Sequence, residues 1–174
     1  EGLVVDKDVN ISTERGFIGV GHTISADEGM VNLNTGSGDI MVGKDITAGE
    51  AVSISTYDGN VLIGDTATGD DGDVLAENGD VSIRTNKGDI QIIKTVTASD
   101  GSIDITSGQG EILVGDNGPD VKTVTAGENI NLTANDGRIV VYGKTSTGAG
   151  DISLSAHRQK QVSGVDSSTF VIDH

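Results

Sequence analysis

The chain has 174 residues, with 26 Gly, one Pro, no Cys and no Trp, and its formal net charge is −16. A polyanion of this kind is repelled by nucleic acid backbones and by anionic lipid surfaces, so both are poor partners. The lack of cysteine excludes a disulfide framework and thiol chemistry. No apolar run approaches membrane-spanning length, which argues against membrane insertion, and the abundance of Val, Ile, Thr and Gly predicts an all-β chain.

The first residues, Glu1-Gly2-Leu3-Val4-Val5, lie within the apolar pattern that the rest of the chain repeats. They do not read as a signal peptide. We therefore expect the chain to be an excised piece of a longer protein.

A short phrase, Gly-Asp-apolar-x-apolar, recurs along the sequence, for example at 79–83 and again at 88–92. The first apolar residue of each unit recurs in steps of 22, 21, 29, 22, 27 and 22 residues. These residues are Val9, Val31, Val52, Val81, Ile103, Ile130 and Ile152. Because alternate residues of a strand point to opposite faces, each apolar-x-apolar pair predicts one short strand with a single buried face.

Two further strands follow in each unit. A second apolar pair begins nine residues after the first, at Ile18, Ile40, Val61, Ile90, Ile112 and Ile139. A third strand carries one apolar residue, at Ile24, Ile46, Val74, Val96 and Val124, with Ser146 expected as a lapse. No unit of this size can bury its apolar face alone, so the units must stack, like strand on like strand.

This stacking predicts a right-handed parallel β-helix with three strands per coil and about 22–28 residues per coil. Glycines precede the second strand in six units and supply the tight corners. We expect the repeat array to cover residues 1–155. Residues 156–174 are expected to form an irregular C-terminal coil, a cap or the start of a further segment.

The repeated Gly-Asp-Ile-x-Ile and Gly-x-Ile-x-Val phrases, set in a chain poor in aromatics and without Cys, resemble a known group of proteins. They are similar to the β-helical passenger regions of large secreted bacterial adhesins, of the filamentous-haemagglutinin-like and autotransporter types. The resemblance covers roughly residues 4–155 and concerns the style of the repeat. It implies export, a secreted or cell-surface location and a stalk or adhesive role, and it transfers no catalytic or binding residue.

The outward positions of the second strand form an apolar stripe. They include the candidate contact residues Met41, Leu62, Leu113 and Val140. An exposed apolar stripe along a rod usually marks a contact with a protein or glycan ligand, or with a second rod side by side. The alternative is that two inserted segments, 64–73 and 115–122, fold back over it. Because an excised rod exposes the strands at its ends, end-to-end self-association is also expected.

The outward positions of the third strand are rich in threonine. The clearest pairs are Thr95-x-Thr97 and Thr123-x-Thr125, and Thr145-x-Thr147 continues the pattern. Regular Thr-x-Thr ladders on a flat β-helix face resemble those of ice-binding proteins. Threonine is also a favourable outward residue in any strand, which is the simpler explanation.

The first insertion is acidic and offers Asp70, Asp71 and Asp73 as candidate ligands for Ca²⁺. Its spacing matches neither the EF-hand pattern nor the nonapeptide of calcium β-rolls. Solvated acidic loops are the alternative explanation. We predict no other cofactor.

Asp89 and Glu111 fall on successive coils, so their carboxylates are expected about 5 Å apart, the separation that a retaining glycosidase requires. Aspartate after glycine is also ordinary turn chemistry, and no aromatic platform for sugar rings is evident. We therefore predict a structural or adhesive segment without enzymatic activity. A polysaccharide-active enzyme and an ice-binding face are the alternatives.

Overall fold

The computed structural model describes residues 2–65, 71–116, 122–157, 160–166 and 170–173, the last two ranges as backbone alone. These residues form twenty-one β-strands, and every strand pairing among them is parallel. Within these ranges, no helix is long and apolar enough to cross a membrane.

The first strands of the units stack in chain order into one sheet of eight strands, here called the first ladder. Its members are β2 (Val9–Thr13), β5 (Val31–Ser37), β8 (Val52–Asp58), β11 (Val81–Lys87), β14 (Ile103–Ser107), β17 (Ile130–Ala134), β19 (Ile152–Ala156) and β21 (Phe170–Asp173). The apolar residues pair as the sequence predicts, Val9 beside Val31 and Val31 beside Val52. The unit of 29 residues aligns as well as those of 21 and 22, since Val52 lies beside Val81.

A second sheet of thirteen strands contains two further ladders that meet in one long strand, β18 (Ile139–Thr147). The second ladder comprises β3 (Ile18–Val20), β6 (Ile40–Val42), β9 (Val61–Ile63), β12 (Ile90–Ile92) and β15 (Ile112–Val114), followed by β18. The third ladder comprises β1 (Leu3–Val5), β4 (Ile24–Ala26), β7 (Ile46–Ala48), β10 (Val74–Ala76), β13 (Val96–Ala98) and β16 (Thr123–Ala126), again followed by β18. The chain is therefore a parallel β-solenoid, as predicted. Its right-handed sense and its three strands per coil stay predictions.

The ladders continue beyond residue 155. Strand β20 (Lys160–Asp166) pairs with β18, and β21 pairs with β19, placing Phe170 beside Ile152. Within residues 160–166 and 170–173 the backbone forms strands that extend the same ladders, and the boundary expected at residue 155 stays a prediction. The alternation of Phe170-Val171-Ile172 matches the strand period that the earlier coils use.

The interior consists of aliphatic columns that run along the solenoid. Ile40, Ile90, Ile103 and Ile105 are fully buried, as are their equivalents in neighbouring coils. Each buried side chain of this size stabilises the fold by about 1.5–3 kcal/mol. Because every coil contributes to the same columns, the stabilisation depends on the register between coils.

The first ladder also has a buried polar column, which the sequence analysis missed. Thr35, Thr56, Thr85 and Ser107 are buried at the third inward position of successive strands. Each hydroxyl donates a hydrogen bond of 2.8–3.0 Å to the corner glycine carbonyl of the preceding coil. The acceptors are the carbonyl groups of Gly16, Gly38, Gly59 and Gly88. These hydrogen bonds connect the end of each of these first-ladder strands to the corner of the preceding coil.

One residue of the third ladder differs from the prediction. Thr145, and not Ser146, takes the inward position beside Val124, and Ser146 lies beside the outward-facing Thr125. Thr145 follows Val141 by four residues, the same spacing that separates Val42 from Ile46. Thr145 is fully buried, and its hydroxyl has no hydrogen-bond partner among the described residues.

The same substitution is expected to have opposite effects at the two kinds of buried threonine. Thr85→Val removes the 2.8 Å bond to Gly59 and leaves that carbonyl oxygen without its donor, so we expect a loss of about 1–2 kcal/mol. Thr145→Val removes an unpaired hydroxyl and completes an aliphatic column, so we expect a gain of about 1 kcal/mol. Urea unfolding followed by circular dichroism measures both, and effects of the same sign would contradict the assignment of the columns.

Candidate contact groove

The outward row of the second ladder is only partly exposed. Gly19, Met41, Leu62, Gln91, Leu113 and Val140 lie side by side in this row. Met41 is 46% exposed, whereas Leu62 and Leu113 are half-buried. The prediction that Val140 is exposed is wrong, since only 7% of it is accessible. Strand β20 lies beside β18 at this point, with Gln161 next to Val140, where no further strand was expected.

The first three coils of this face form an open groove of about 280 Å³. Its lining is almost entirely apolar and comprises Phe17, Gly19, Val20, Gly21, Met41, Val42, Gly43, Leu62 and Gly64. Phe17 is 74% exposed, more than any other large hydrophobic residue of the part described here, and its ring lies against Gly19. A side chain at Gly19 would overlap this ring, so glycine there makes room for the aromatic wall.

A column of glycines gives the groove its depth. Gly21, Gly43 and Gly64 follow the second strand in successive coils and line the groove without side chains. In the fourth coil Ile93 takes the equivalent place, where it is buried and its N–H binds the Ile63 carbonyl at 3.0 Å. Gln91 replaces the apolar outward residue in the same coil. The groove is therefore confined to the first three coils.

Polar residues form one rim of the groove at the corner before the second strand. Asp39, Asn60 and Asp89 occupy equivalent positions there. Asp39 Oδ1 accepts the Asn60 N–H at 2.8 Å, and Asn60 Oδ1 accepts the Asp89 N–H at 2.8 Å. Each side chain thus caps the next coil, which gives the repeated Gly-Asp phrase its structural purpose. Neither Asp39 nor Asp89 forms an ion pair within the described residues.

Asp89 and Glu111, the two carboxylates considered for glycoside hydrolysis, each contact the next coil. Asp89 Oδ1 accepts the Glu111 N–H at 2.7 Å. Glu111 Oε2 forms a 2.8 Å ion pair with Arg138 Nε. Asp89 therefore serves the backbone of the next coil, and Glu111 is neutralised by an arginine on its far side. These contacts account for both side chains structurally, and the absence of enzymatic activity stays a prediction.

The other rim contains the two ends of the first insertion, residues 64–65 and 71–73, here called its neck. Lys44 Nζ pairs with Asp71 Oδ2 at 2.9 Å, and both residues contact the groove together with Asp65. Lys122 holds the neck of the second insertion, with its side chain 3% exposed and its Nζ 2.8 Å from Asp116 Oδ1. Residues 66–70 and 117–121, the outer parts of these insertions, lie outside the described residues. The alternative that they fold back over the apolar row therefore concerns residues outside the described ranges.

Of the three candidate calcium ligands, Asp70 lies outside the described residues. Asp71 is paired with Lys44, and Asp73 Oδ1 accepts bonds from the N–H and hydroxyl of Thr95 at 3.0 and 2.6 Å. In the parts of the chain that can be described, no three acidic or histidine side chains converge as a metal site would require. Calcium binding stays a prediction.

The threonine row of the third ladder is short. Thr97 lies beside Thr125, but Leu75 precedes Thr97 and Ser146 follows Thr125 in the same row. In the neighbouring row Thr95 is bonded to Asp73, and Thr123 lies beside Lys144. The expected continuation at Thr145 is wrong, because Thr145 points inward, where the spacing from Val141 places it. The regular part thus spans two coils.

Phe17 is the functional candidate that the sequence analysis missed. It occupies the corner position that carries Asp39, Asn60 and Asp89 in the next three coils, so an aromatic residue there breaks a polar column. An aromatic residue in an otherwise polar column is the sequence feature that could have identified it.

Comparison of the chain with protein-family models, with curated proteins and with solved structures yields no match.

Proposed function

We propose that this chain is a stalk segment of a secreted or cell-surface bacterial protein, and that it mediates attachment to a protein or glycan on another surface. The observation that supports this proposal most is the continuity of the ladders, from β2 to β21 in the first ladder. Backbone hydrogen bonds between coils run along the solenoid axis, so an axial load is shared by all the ladders at once. Such a rod suits the transmission of force between two attached surfaces.

The use of the charged side chains also favours a structural role. Carboxylates at the corners accept backbone N–H groups of the next coil, as Asp8 does from Met30 and Asp80 does from Ser102. The asparagines of the outward face bond along the rod, with Asn32 Nδ2 2.9 Å from Asn10 Oδ1. These side chains stabilise the stack. A net charge of −16 also opposes the lateral aggregation of such rods.

Contact with a ligand would then use features displayed at fixed spacing on the rod. The two insertions leave the solenoid at the same corner, two coils apart, and lysine–aspartate pairs hold their necks. The apolar groove lies beside the first of them. A rigid scaffold that positions loops in this way is a common basis for recognition.

A bead assay tests the proposal. Beads carrying the 174-residue chain by one terminus are flowed over surfaces coated with matrix proteins, mucin or immobilised glycans. We expect retention on at least one coating, and its loss when the chain carries Gly110→Val, which places a branched side chain against the Gly88 carbonyl group and disrupts the stack. The absence of retention on every coating, together with release of reducing sugar from a polysaccharide, would contradict the proposal and favour an enzyme.

A further inference from the structure

We propose that the groove lined by Phe17, Met41 and Leu62 binds a short peptide segment of a partner protein in which apolar residues alternate with Lys or Arg. This inference rests on the proposed attachment role and names the chemistry of one partner. A net charge of −16 on each rod disfavours a second copy of the chain as the occupant.

Over β6 and β9 the occupant must bind through its side chains, because the backbone there is already paired. Strands β3, β6 and β9 pair in sequence, and β9 pairs onward with β12, so the backbone groups of β6 and β9 are used on both edges. The groove lies on the flat face of this sheet, and over β6 and β9 it offers no free strand edge for an added strand. Among the strands that line it, only β3 lies at the end of the sheet within the described residues. What it does offer is an apolar floor flanked by a column of glycines.

The dimensions of the groove fix the length of the segment. Gly19, Met41 and Leu62 lie on three successive coils, so the floor extends over about 10 Å, two strand separations. Side chains two residues apart on an extended peptide are about 6.8 Å apart. Two apolar side chains therefore fit on the floor, and Gln91 and Ile93 close the groove beyond them.

The charge around the groove selects basic residues between these apolar anchors. Two pockets that share Met41 and Leu62 with the groove carry the charges at its rims. Among the described residues that line them, four are carboxylates and one is a cation: Asp39, Asp65, Asp71 and Asp89, and Lys44. Asp39 and Asp89 each accept a backbone N–H of the next coil but form no ion pair within the described residues, so no cationic side chain neutralises their charge. Phe17 adds an exposed aromatic face on which an arginine or lysine can rest.

A glycan fits this surface less well. Its hydroxyl groups would lie over Val20, Met41 and Leu62, which have no side-chain polar groups to pair with them. Methionine, in contrast, adapts its unbranched side chain to apolar ligands of differing shape. The floor therefore favours aliphatic side chains over sugar.

The test uses fluorescein-labelled heptapeptides and fluorescence anisotropy with the whole chain. A peptide of alternating Lys and Leu is expected to bind, with an affinity that falls as salt is added. We expect two control peptides to bind at least about tenfold more weakly. A peptide of alternating Lys and Ser lacks the apolar contacts, and a peptide of alternating Glu and Leu lacks the attraction to the carboxylates. Equal binding of the Lys and Ser peptide would overturn the inference, because it would reveal only non-specific attraction to a polyanion.

Two variants locate the binding site. Met41→Ser with Leu62→Ser leaves the charge unchanged and is expected to weaken binding of the Lys and Leu peptide at least about tenfold. Leu75→Ser, an equivalent change on the outward row of the third ladder, is the matched control and should leave binding within about twofold, because Leu75 is remote from the groove lining. Unchanged binding in the double variant, or an equal loss in the control, would overturn the inference.

A further pair of substitutions separates charge from structure. Asp39→Asn with Asp89→Asn keeps a side-chain oxygen to cap the next coil and removes two negative charges. We expect weaker peptide binding and a smaller dependence on salt, with an unchanged melting temperature; unchanged binding and salt dependence would count against the inference. If the wild-type chain fails to bind the peptide but its beads are still retained, the peptide inference is wrong and the attachment role stands.

Discussion

Gly110→Ala is expected to destabilise the protein by about 3 kcal/mol. A Cβ at Gly110 would overlap the carbonyl group of Gly88 in the preceding coil and lie 2.6 Å from Asp89 Oδ1. The overlap would separate two coils at a corner where Ser107 donates to the Gly88 carbonyl at 2.9 Å. The urea midpoint, followed by circular dichroism, measures the loss.

Gly21→Ala is the matched control for this experiment. A Cβ at Gly21 meets nothing within 4 Å, and the residue does not have a positive φ. We therefore expect its stability to stay within about 0.5 kcal/mol of the wild type, or to rise slightly through lower entropy of the unfolded chain. Similar effects of the two substitutions would show that the corner glycines are not in contact between coils.

Leu132→Ala is expected to destabilise the protein by about 2–5 kcal/mol. Leu132 is fully buried in β17, between Ile105 and Leu154 of the neighbouring coils. Truncation leaves a cavity that both neighbours line, and the ladders on either side prevent the backbone from closing it. Urea unfolding again provides the measurement.

Asn131→Ala tests the alternation within the same strand. Asn131 precedes Leu132 and is exposed on the outward face of β17. Its truncation should change the free energy of unfolding by no more than about 0.5 kcal/mol. If Asn131→Ala were the more damaging of the two, the inward and outward faces of the strand would be reversed.

The registers of the coils could be predicted because the aliphatic pairs repeat with the strand period. A pair such as Val81 and Ile83 can be buried only on one face, and its equivalents in other units must share that face. The variable lengths, including the 29-residue step between Val52 and Val81, did not obscure this, because insertions are confined to one corner. Stacking then fixed the neighbours of every aliphatic residue.

The polar interior could not be predicted in the same way. Thr56 and Thr85 are buried, yet threonine in a strand is usually read as an outward residue. Their burial depends on a carbonyl group at the corner of the preceding coil, which lies 18 or 26 residues away in sequence. A threonine two positions after the aliphatic pair in the first four units was the available signal.

The groove was predicted in part. Met41 and Leu62 were correctly placed in an outward apolar row, but that row was expected to extend to Val140. The groove is restricted to three coils by Ile93, which replaces a glycine in the fourth coil, and by Gln91, which replaces an apolar outward residue there. Both are single departures from the repeat, and their effect depends on which side chains lie next to them in space.

The distance between equivalent residues of different coils tests the central claim most directly. The chain has no cysteine, so pairs of spin labels can be placed at Asn10 with Asp104, Asn131 or Ser153, all in one outward row of the first ladder. The account predicts backbone separations of about 19, 24 and 29 Å, an equal increment for the 27-residue and the 22-residue steps. Distances that follow the sequence separation, or that fail to increase along this series, would contradict a stack of coils in register.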